Sequence, residues 1–203
     1  MISRLKSLIN TSLFYSKDEY EKERLVEMQN VLTELIKTYA TNLSETEIKR
    51  YFASDVGYVT PKVDIRAVIF NDKEELLLVQ EKSDGRWALP GGWADVGYSP
   101  SEIAEKEAFE EAGINVTAQK LIKIVDKAKH PYPKSLEYVY KFFILCEAEN
   151  FEVKIGLETS AVAFVKFSEI KSKYSLSLER NNEDDIQELF DFYHNPWELT
   201  QFD

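Results

Sequence analysis

The chain has a single cysteine among its 203 residues, so no internal disulfide can staple it. A fold of this length must rest on a buried apolar core instead, and a reduced setting, the cytoplasm, is expected. Cys146 itself lies in the apolar run YKFFILC and reads as a small buried hydrophobe on a strand. No apolar run approaches the roughly 20 residues that cross a bilayer. The N-terminal stretch MISRLKSLINTSLFYSKDEYEK interrupts its apolar positions with polar ones, and no small-residue cleavage site follows. It reads as an amphipathic helix rather than a secretory leader, and no membrane partner is expected. Positive charge is scarce as well. With 25 basic against 36 acidic residues the formal charge is −11. Such a surface repels a polyphosphate chain, so no extended nucleic-acid partner is expected. A small phosphate ester can still bind where a cation offsets the local field. Internal repeats and low-complexity segments are absent too.

What is present falls into two parts, expected at residues 1–58 and 59–203. The first is helical. Its first helix is expected around residues 2–13, and Ser16 with Glu19 suggests a capping box opening the second. Leu25, Met28, Leu32, Leu35, Ile36 and Tyr39 then recur at helical spacing as one apolar stripe. A short helix is expected after Ser44, with Glu47 three residues on. Helices this few cannot bury a core alone and need the rest of the chain or another subunit. The second part holds five strand-like segments: KVDIRAVIF, ELLLVQEK, residues 114–127, EYVYKFFILCEA and SAVAFVKF. One helix is embedded among them and another, at about 182–193, follows with Ile186, Leu189, Phe190 and Tyr193 on its apolar face. The fold class is mixed α/β, or α+β.

The embedded helix carries the strongest signal. In LPGGWADVGYSPSEIAEKEAFEEAGINV, Ser99 is a good N-cap, Pro100 suits the first turn, Glu102 completes a capping box and Gly113 supplies the stop. Ala104, Ala108 and Ala112 form a stripe of small side chains that lets the helix lie close against a sheet. Glu107, Glu110 and Glu111 cluster on an adjacent face. Like charges at this spacing repel by a few tenths of a kcal/mol per pair. The bland explanation is a solvated acidic face. The functional one is a hard, all-oxygen site for Mg²⁺ or Mn²⁺, completed by a carbonyl of Gly91 or Gly92 from the preceding Pro-Gly-Gly corner.

The segment from Gly92 to Ile114 resembles the Nudix box, which runs Gly, five residues, Glu, seven residues, then Arg-Glu-hydrophobic-any-Glu-Glu-any-Gly-hydrophobic. Gly92, Glu107, Ala108, Glu110, Glu111, Gly113 and Ile114 match in register. Tyr98 stands in place of the first glutamate and Lys106 in place of the arginine, positions that form a structural ion pair in the family. Glu102, four residues before Lys106, is a possible substitute partner. The helical N-terminal extension, VTPKVDIRAVIF, KHPYPKSLEYVYKFFILCE and SLSLER are similar to a Nudix subgroup acting on nucleoside diphosphates linked to a second group.

The resemblance implies an α/β/α sandwich around a mixed sheet, often dimeric. It also implies cation-dependent hydrolysis of a pyrophosphate linkage, as in ADP-ribose or CDP-choline, giving a nucleoside monophosphate and a phosphorylated product. Gly91, Glu107, Glu110 and Glu111 are then the metal-site candidates, Glu110 through water or a second ion. Glu158, in GLETSAV, is a candidate general base. Arg66, Arg86, Lys141 and Tyr140 are candidates for binding substrate, with Arg180 and His130 behind them and Tyr15, Phe52 and Tyr138 as further stacking options; His194 is expected to be inert. The alternative is a nucleotide-sensing regulator whose box is weakened at Tyr98 and Lys106.

Overall fold

The structure, a computed structural model, describes all residues except Met1, 40–43 and 54–56. The chain divides into two compact units, residues 1–61 with 135–138, and residues 62–134 with 139–203.

In the first unit, α1 (Ile2–Tyr15), α2 (Glu19–Tyr39) and α3 (Glu45–Ala53) enclose a small core of Ile9, Leu32, Ile36, Ile48 and Tyr51. The capping box expected at Ser16 does not form. Asp18 takes that place, its carboxylate accepting the Glu21 amide at 2.8 Å, while the Ser16 hydroxyl donates to the Glu21 carboxylate. At α3 the expected reciprocal bonds between Ser44 and Glu47 are present. The α2 stripe is only partly used: Leu32 and Ile36 are buried, whereas Met28 and Leu35 are exposed beside Val31. The side chain of Tyr39 lies outside the described residues.

The second unit is built on two sheets. One is mixed, in the order β1 (Lys62–Val68), β5 (Val139–Ala148), β4 (Val116–Asp126), β7 (Gln201–Phe202); β1 runs parallel to β5, and β5 antiparallel to β4. The other is antiparallel, with β2 (Leu76–Glu81) between β3 (Trp87–Ala88) and β6 (Thr159–Val165). The five expected strands are all there; β3 and β7 were not foreseen, since two residues cannot show an alternation.

Strand alternation then sorts the side chains onto two faces. Ile65, Ala67, Leu77, Val79, Ile144 and Cys146 cluster with Ile103, Ala104, Ala108 and Ala112 of α4 (Pro100–Ala112). Val68, Leu76, Leu78 and Phe143 cluster with Ile186, Leu189, Phe190 and Phe192 of α6 (Glu183–His194) and with Ile170 of the short α5 (Phe167–Lys173). The result is helix, sheet, helix. Cys146 is a buried filler, as read from the sequence, and burial pushes its thiol up to about 12.

Candidate active site

The start of α4 is as its sequence dictates. The Ser99 amide donates to Glu102 Oε2 at 2.7 Å, the Ser99 hydroxyl accepts the Glu102 amide, and Gly113 ends the helix in the left-handed region at φ 65°. Ala104, Ala108 and Ala112 are fully buried, so the helix backbone lies close to the sheet. The loop before β6 closes over its C-terminal end. The Glu111 carbonyl accepts from the Thr159 hydroxyl at 2.8 Å and from the Gly156 amide at 3.3 Å.

The Pro-Gly-Gly corner is stitched to β1 just beside this helix. Ala67 donates to the Pro90 carbonyl and Ile65 to the Gly92 carbonyl, both at 2.8 Å. That pairing uses the carbonyls on either side of Gly91 and not its own. The Gly91 amide instead donates to Glu111 Oε2 at 3.0 Å. Glu107 sits over Gly92 so closely that a Cβ there would meet Glu107 Oε1 at 2.6 Å. Two carboxylates from successive turns of α4 are thus held against one short stretch of extended backbone.

Their electrostatics are unusual for surface acids. Glu111 is 5% exposed, and burial pushes its carboxyl up to about 8, against the pull of the Gly91 amide. Glu107 is half-buried and also raised, chiefly by burial, with Lys106 and Arg66 opposing. Glu110 is exposed and faces Lys106 Nζ at 3.7 Å. Glu158 is exposed in the loop before β6, and its charge reaches both Glu107 and Glu81.

Glu81 escaped the sequence reading. It ends β2, is 5% exposed, is raised by burial, and pairs with Arg180 Nε at 3.1 Å. Its charge acts on Glu111. The signal was available: Leu77, Val79 and Glu81 share one strand face, so an acid continues a fully buried row. Trp93 was also passed over. It follows Gly92, is half-exposed, and has Lys62 Nζ 5.9 Å from its ring centre.

The candidate cations fall in different places. Arg66 is buried, gripping Asp64 through Nη2 at 2.7 Å and Nε at 3.3 Å, and its charge bears on Glu111 and Glu107. Arg86 is exposed on the β2–β3 hairpin. Lys141, expected to reach substrate from β5, is enclosed with no exposed surface and bonded to Asp64. The expectation fails there because β5 is covered on that face. Tyr140 lies on the opposite face of β5, partly exposed. Arg180 is committed to Glu81 and, at 3.0 Å, to Asp84. His130 pairs with Asp203 at 2.9 Å, and His194 meets the Tyr193 ring at the end of α6. Tyr15, Phe52 and Tyr138 belong to the first unit.

Lys106 does not pair with Glu102, whose carboxylate is taken by the capping box. It bonds Asp95 at 3.1 Å and lies 5.6 Å from the Tyr98 ring centre. The two residues that depart from the Nudix pattern therefore still face each other, now as a cation over an aromatic ring. Among the described residues, no three Asp, Glu, His or Cys side chains already converge as a ready-made metal cluster.

Comparison with known proteins places this geometry. Residues 60–189 match the family described as the NUDIX domain, and residues 1–52 the one described as a UDP-X-like, N-terminal oligomerisation domain. The chain is 34% identical over 200 residues to YjhB of Bacillus subtilis, which carries a provisional ADP-ribose pyrophosphatase name; the match spans 98% of this chain and 94% of YjhB. A crystal structure of an ADP-ribose pyrophosphatase from Streptococcus suis 89-1591 superposes with a TM-score of 0.62 at 38% identity, covering 71% of this chain and 100% of that one. A crystal structure of a UDP-X diphosphatase superposes with a TM-score of 0.63 at 26% identity, over 98% of this chain and 95% of that one.

Proposed function

The chain belongs to the Nudix family of pyrophosphohydrolases, and on that premise we propose that it hydrolyses the pyrophosphate linkage of a nucleoside diphosphate joined to a second group, with ADP-ribose the leading candidate. The observation that carries this reading is the convergence of Glu107 and Glu111 on the Gly91–Gly92 backbone. The relatives' names support the substrate class, since ADP-ribose and UDP-X are both nucleoside diphosphates carrying a further moiety.

The donor set fits a divalent cation, Mg²⁺ or Mn²⁺. Glu107, Glu111 and the Gly91 carbonyl offer only hard oxygens, and such ions keep several waters and accept substrate phosphate oxygens alongside a few protein ligands. Fewer than three converged side chains are therefore enough. When bound, the ion would neutralise phosphate charge and make a coordinated water more acidic. Glu110, exposed at the rim, acts through water or a second ion.

The chain's own groups do the rest. Gly91 N–H fixes one oxygen of Glu111 and so orients the other. Glu158 is solvent-exposed and close enough to load Glu107 electrostatically, which suits it to take the proton of the attacking water. Glu81 is tied to Arg180 and buried, so its charge bears on Glu111 from a fixed place. Arg66 places one fixed positive charge beside the carboxylates. Trp93 and Tyr140 offer aromatic surface to a nucleobase, and Arg86 a cation at the hairpin. The exposed Met28, Val31 and Leu35 share one face of α2, the surface on which a second copy would form a homodimer, and residues 1–52 match the family described as an N-terminal oligomerisation domain.

The test is a panel of ADP-ribose, a UDP-sugar, CDP-choline, NADH, a diadenosine polyphosphate and nucleoside triphosphates, with products resolved by chromatography in Mg²⁺. Release of a nucleoside monophosphate and a phosphorylated partner from one of the first three is expected. Preferential cleavage of triphosphates, or no cleavage of any, would overturn the reading.

A further inference from the structure

Lys141 has no role in the site as read above, yet it is a fully buried charged side chain. Parallel pairing sets Lys141 of β5 directly opposite Asp64 of β1. Its ammonium bonds Asp64 Oδ2, while both Asp64 oxygens also receive Arg66. The third nitrogen of Arg66, Nη1, donates to the Leu89 carbonyl at 3.2 Å. On its other side the Leu89 amide donates to the Oδ1 of Asn181, which is also fully buried, at 3.0 Å. One peptide unit on each side of Leu89 is thus gripped by a buried side chain, immediately before Pro90-Gly91-Gly92.

A buried ionic group of this kind is a poor device for stability. Apolar residues of equal volume often serve as well or better, because removing charges from water costs as much as their attraction returns. What such a group does provide is fixed geometry. Arg66 can hold Asp64 with two nitrogens and Leu89 with the third only if Asp64 is itself immobile, and Lys141 supplies that.

We propose that Lys141 is a positioning residue: through Asp64 it locks the Arg66 guanidinium onto the Leu89 carbonyl, and so fixes the corner that offers the Gly91 carbonyl to the divalent cation and holds Glu111 through the Gly91 amide. The inference rests on the reading of Gly91, Glu107 and Glu111 as those donors. Lys141 touches neither substrate nor ion. It acts only through Arg66, and its effect must disappear when Arg66 can no longer make the three-way grip. Lysine at position 66 keeps the charge but lacks the planar fork.

The experiment measures Mn²⁺ binding to the full chain by electron paramagnetic resonance, without nucleotide, for wild type, Lys141→Met, Arg66→Lys, the double variant and Glu111→Gln. Lys141→Met and Arg66→Lys should each weaken Mn²⁺ binding about tenfold, the scale of lost support behind a metal ligand. The double variant should bind no more weakly than Arg66→Lys alone. Mn²⁺ affinity unchanged in Lys141→Met, whatever happens to its melting temperature, would overturn the proposal; so would losses that multiply in the double variant. Glu111→Gln separates the two readings. If it binds Mn²⁺ as wild type does, the cation site itself is misassigned and the relay falls with it. If it loses Mn²⁺ while Lys141→Met keeps it, the relay alone is wrong. Should Lys141→Met fail to fold, Lys141→Gln, which keeps a donor toward Asp64 without the charge, takes its place in the same cycle.

Discussion

Glu111→Gln should lower turnover by on the order of a thousandfold, equivalent to about 4 kcal/mol in the barrier, and should leave the fold intact. Glutamine keeps the shape and still accepts the Gly91 amide, but it cannot carry the charge that holds a divalent ion. Stability should move the other way. Burial raises the Glu111 carboxyl to about 8 from the ordinary glutamate value of about 4.5. A folded state that favours the protonated form binds more protons than the unfolded chain, so its stability falls as pH rises across that window. The effect is complete above about pH 8 and absent below about 4.5. Cation-free Glu111→Gln should therefore match wild type in acid and exceed it at pH 8. Glu81 and Glu107 are raised in the same sense and repel the Glu111 charge, so its loss eases both and adds to the variant's advantage at pH 8. Added Mg²⁺ should stabilise wild type and not the variant, because only the former gains a ligand of the native state. Thermal melts at several pH values, with and without Mg²⁺, check all of this. A variant that melts below wild type at pH 8 would show that Glu111 is a structural residue instead.

Gly91→Ala should destabilise the protein by on the order of 4 kcal/mol. Gly91 sits at φ 151°, where an L side chain is strained, and a Cβ there would lie 2.0 Å from the Ile65 carbonyl oxygen. Neither atom can yield. The carbonyl belongs to Ile65, midway along β1 and held between β5 and the Pro90–Gly92 segment, and the Gly91 amide is committed to Glu111. Gly92→Ala makes the informative contrast. Its backbone has no such restriction, and the clash at 2.6 Å is with the flexible end of Glu107. That variant should denature near wild type in urea while its turnover falls, because the carboxylate is pushed aside. The outcome that would refute this pairing is Gly91→Ala unfolding at the wild-type urea concentration.

These contrasts also show which parts of the molecule could be read in advance. The α4 helix was legible to the residue because its determinants are local: Ser99, Pro100 and Glu102 at the start, the alanine stripe along the buried side, and Gly113 at the end. Strands were legible where β-branched and aromatic residues run long enough. The capping residue of α2 was not, because Ser16 and Asp18 are both good caps two residues apart, and the helix begins at Glu19, where Asp18 is the one placed to accept an N3 amide, that of Glu21. Lys141 was misjudged for a different reason. A lysine alternating with aromatics looks the same in an open cleft as in a closed one. Only the β1–β5 register, a long-range fact, puts it opposite Asp64. Glu81 and Arg180 lie 99 residues apart in sequence, Asn181 and Leu89 lie 92 apart, and each pair meets only in the folded chain. The box resemblance located the carboxylates, and the tertiary structure shows what holds them.

The central claim is that Glu107, Glu111 and the Gly91–Gly92 corner form a divalent-cation site that hydrolyses a diphosphate linkage. The most direct test follows turnover of the best substrate from the panel after the protein is stripped with a chelator and then titrated with Mg²⁺, for wild type and Glu111→Gln side by side. Activity should vanish on stripping and return with Mg²⁺ in wild type, and should fail to return in the variant. Turnover that survives stripping, or that Mg²⁺ restores equally in Glu111→Gln, would contradict the account.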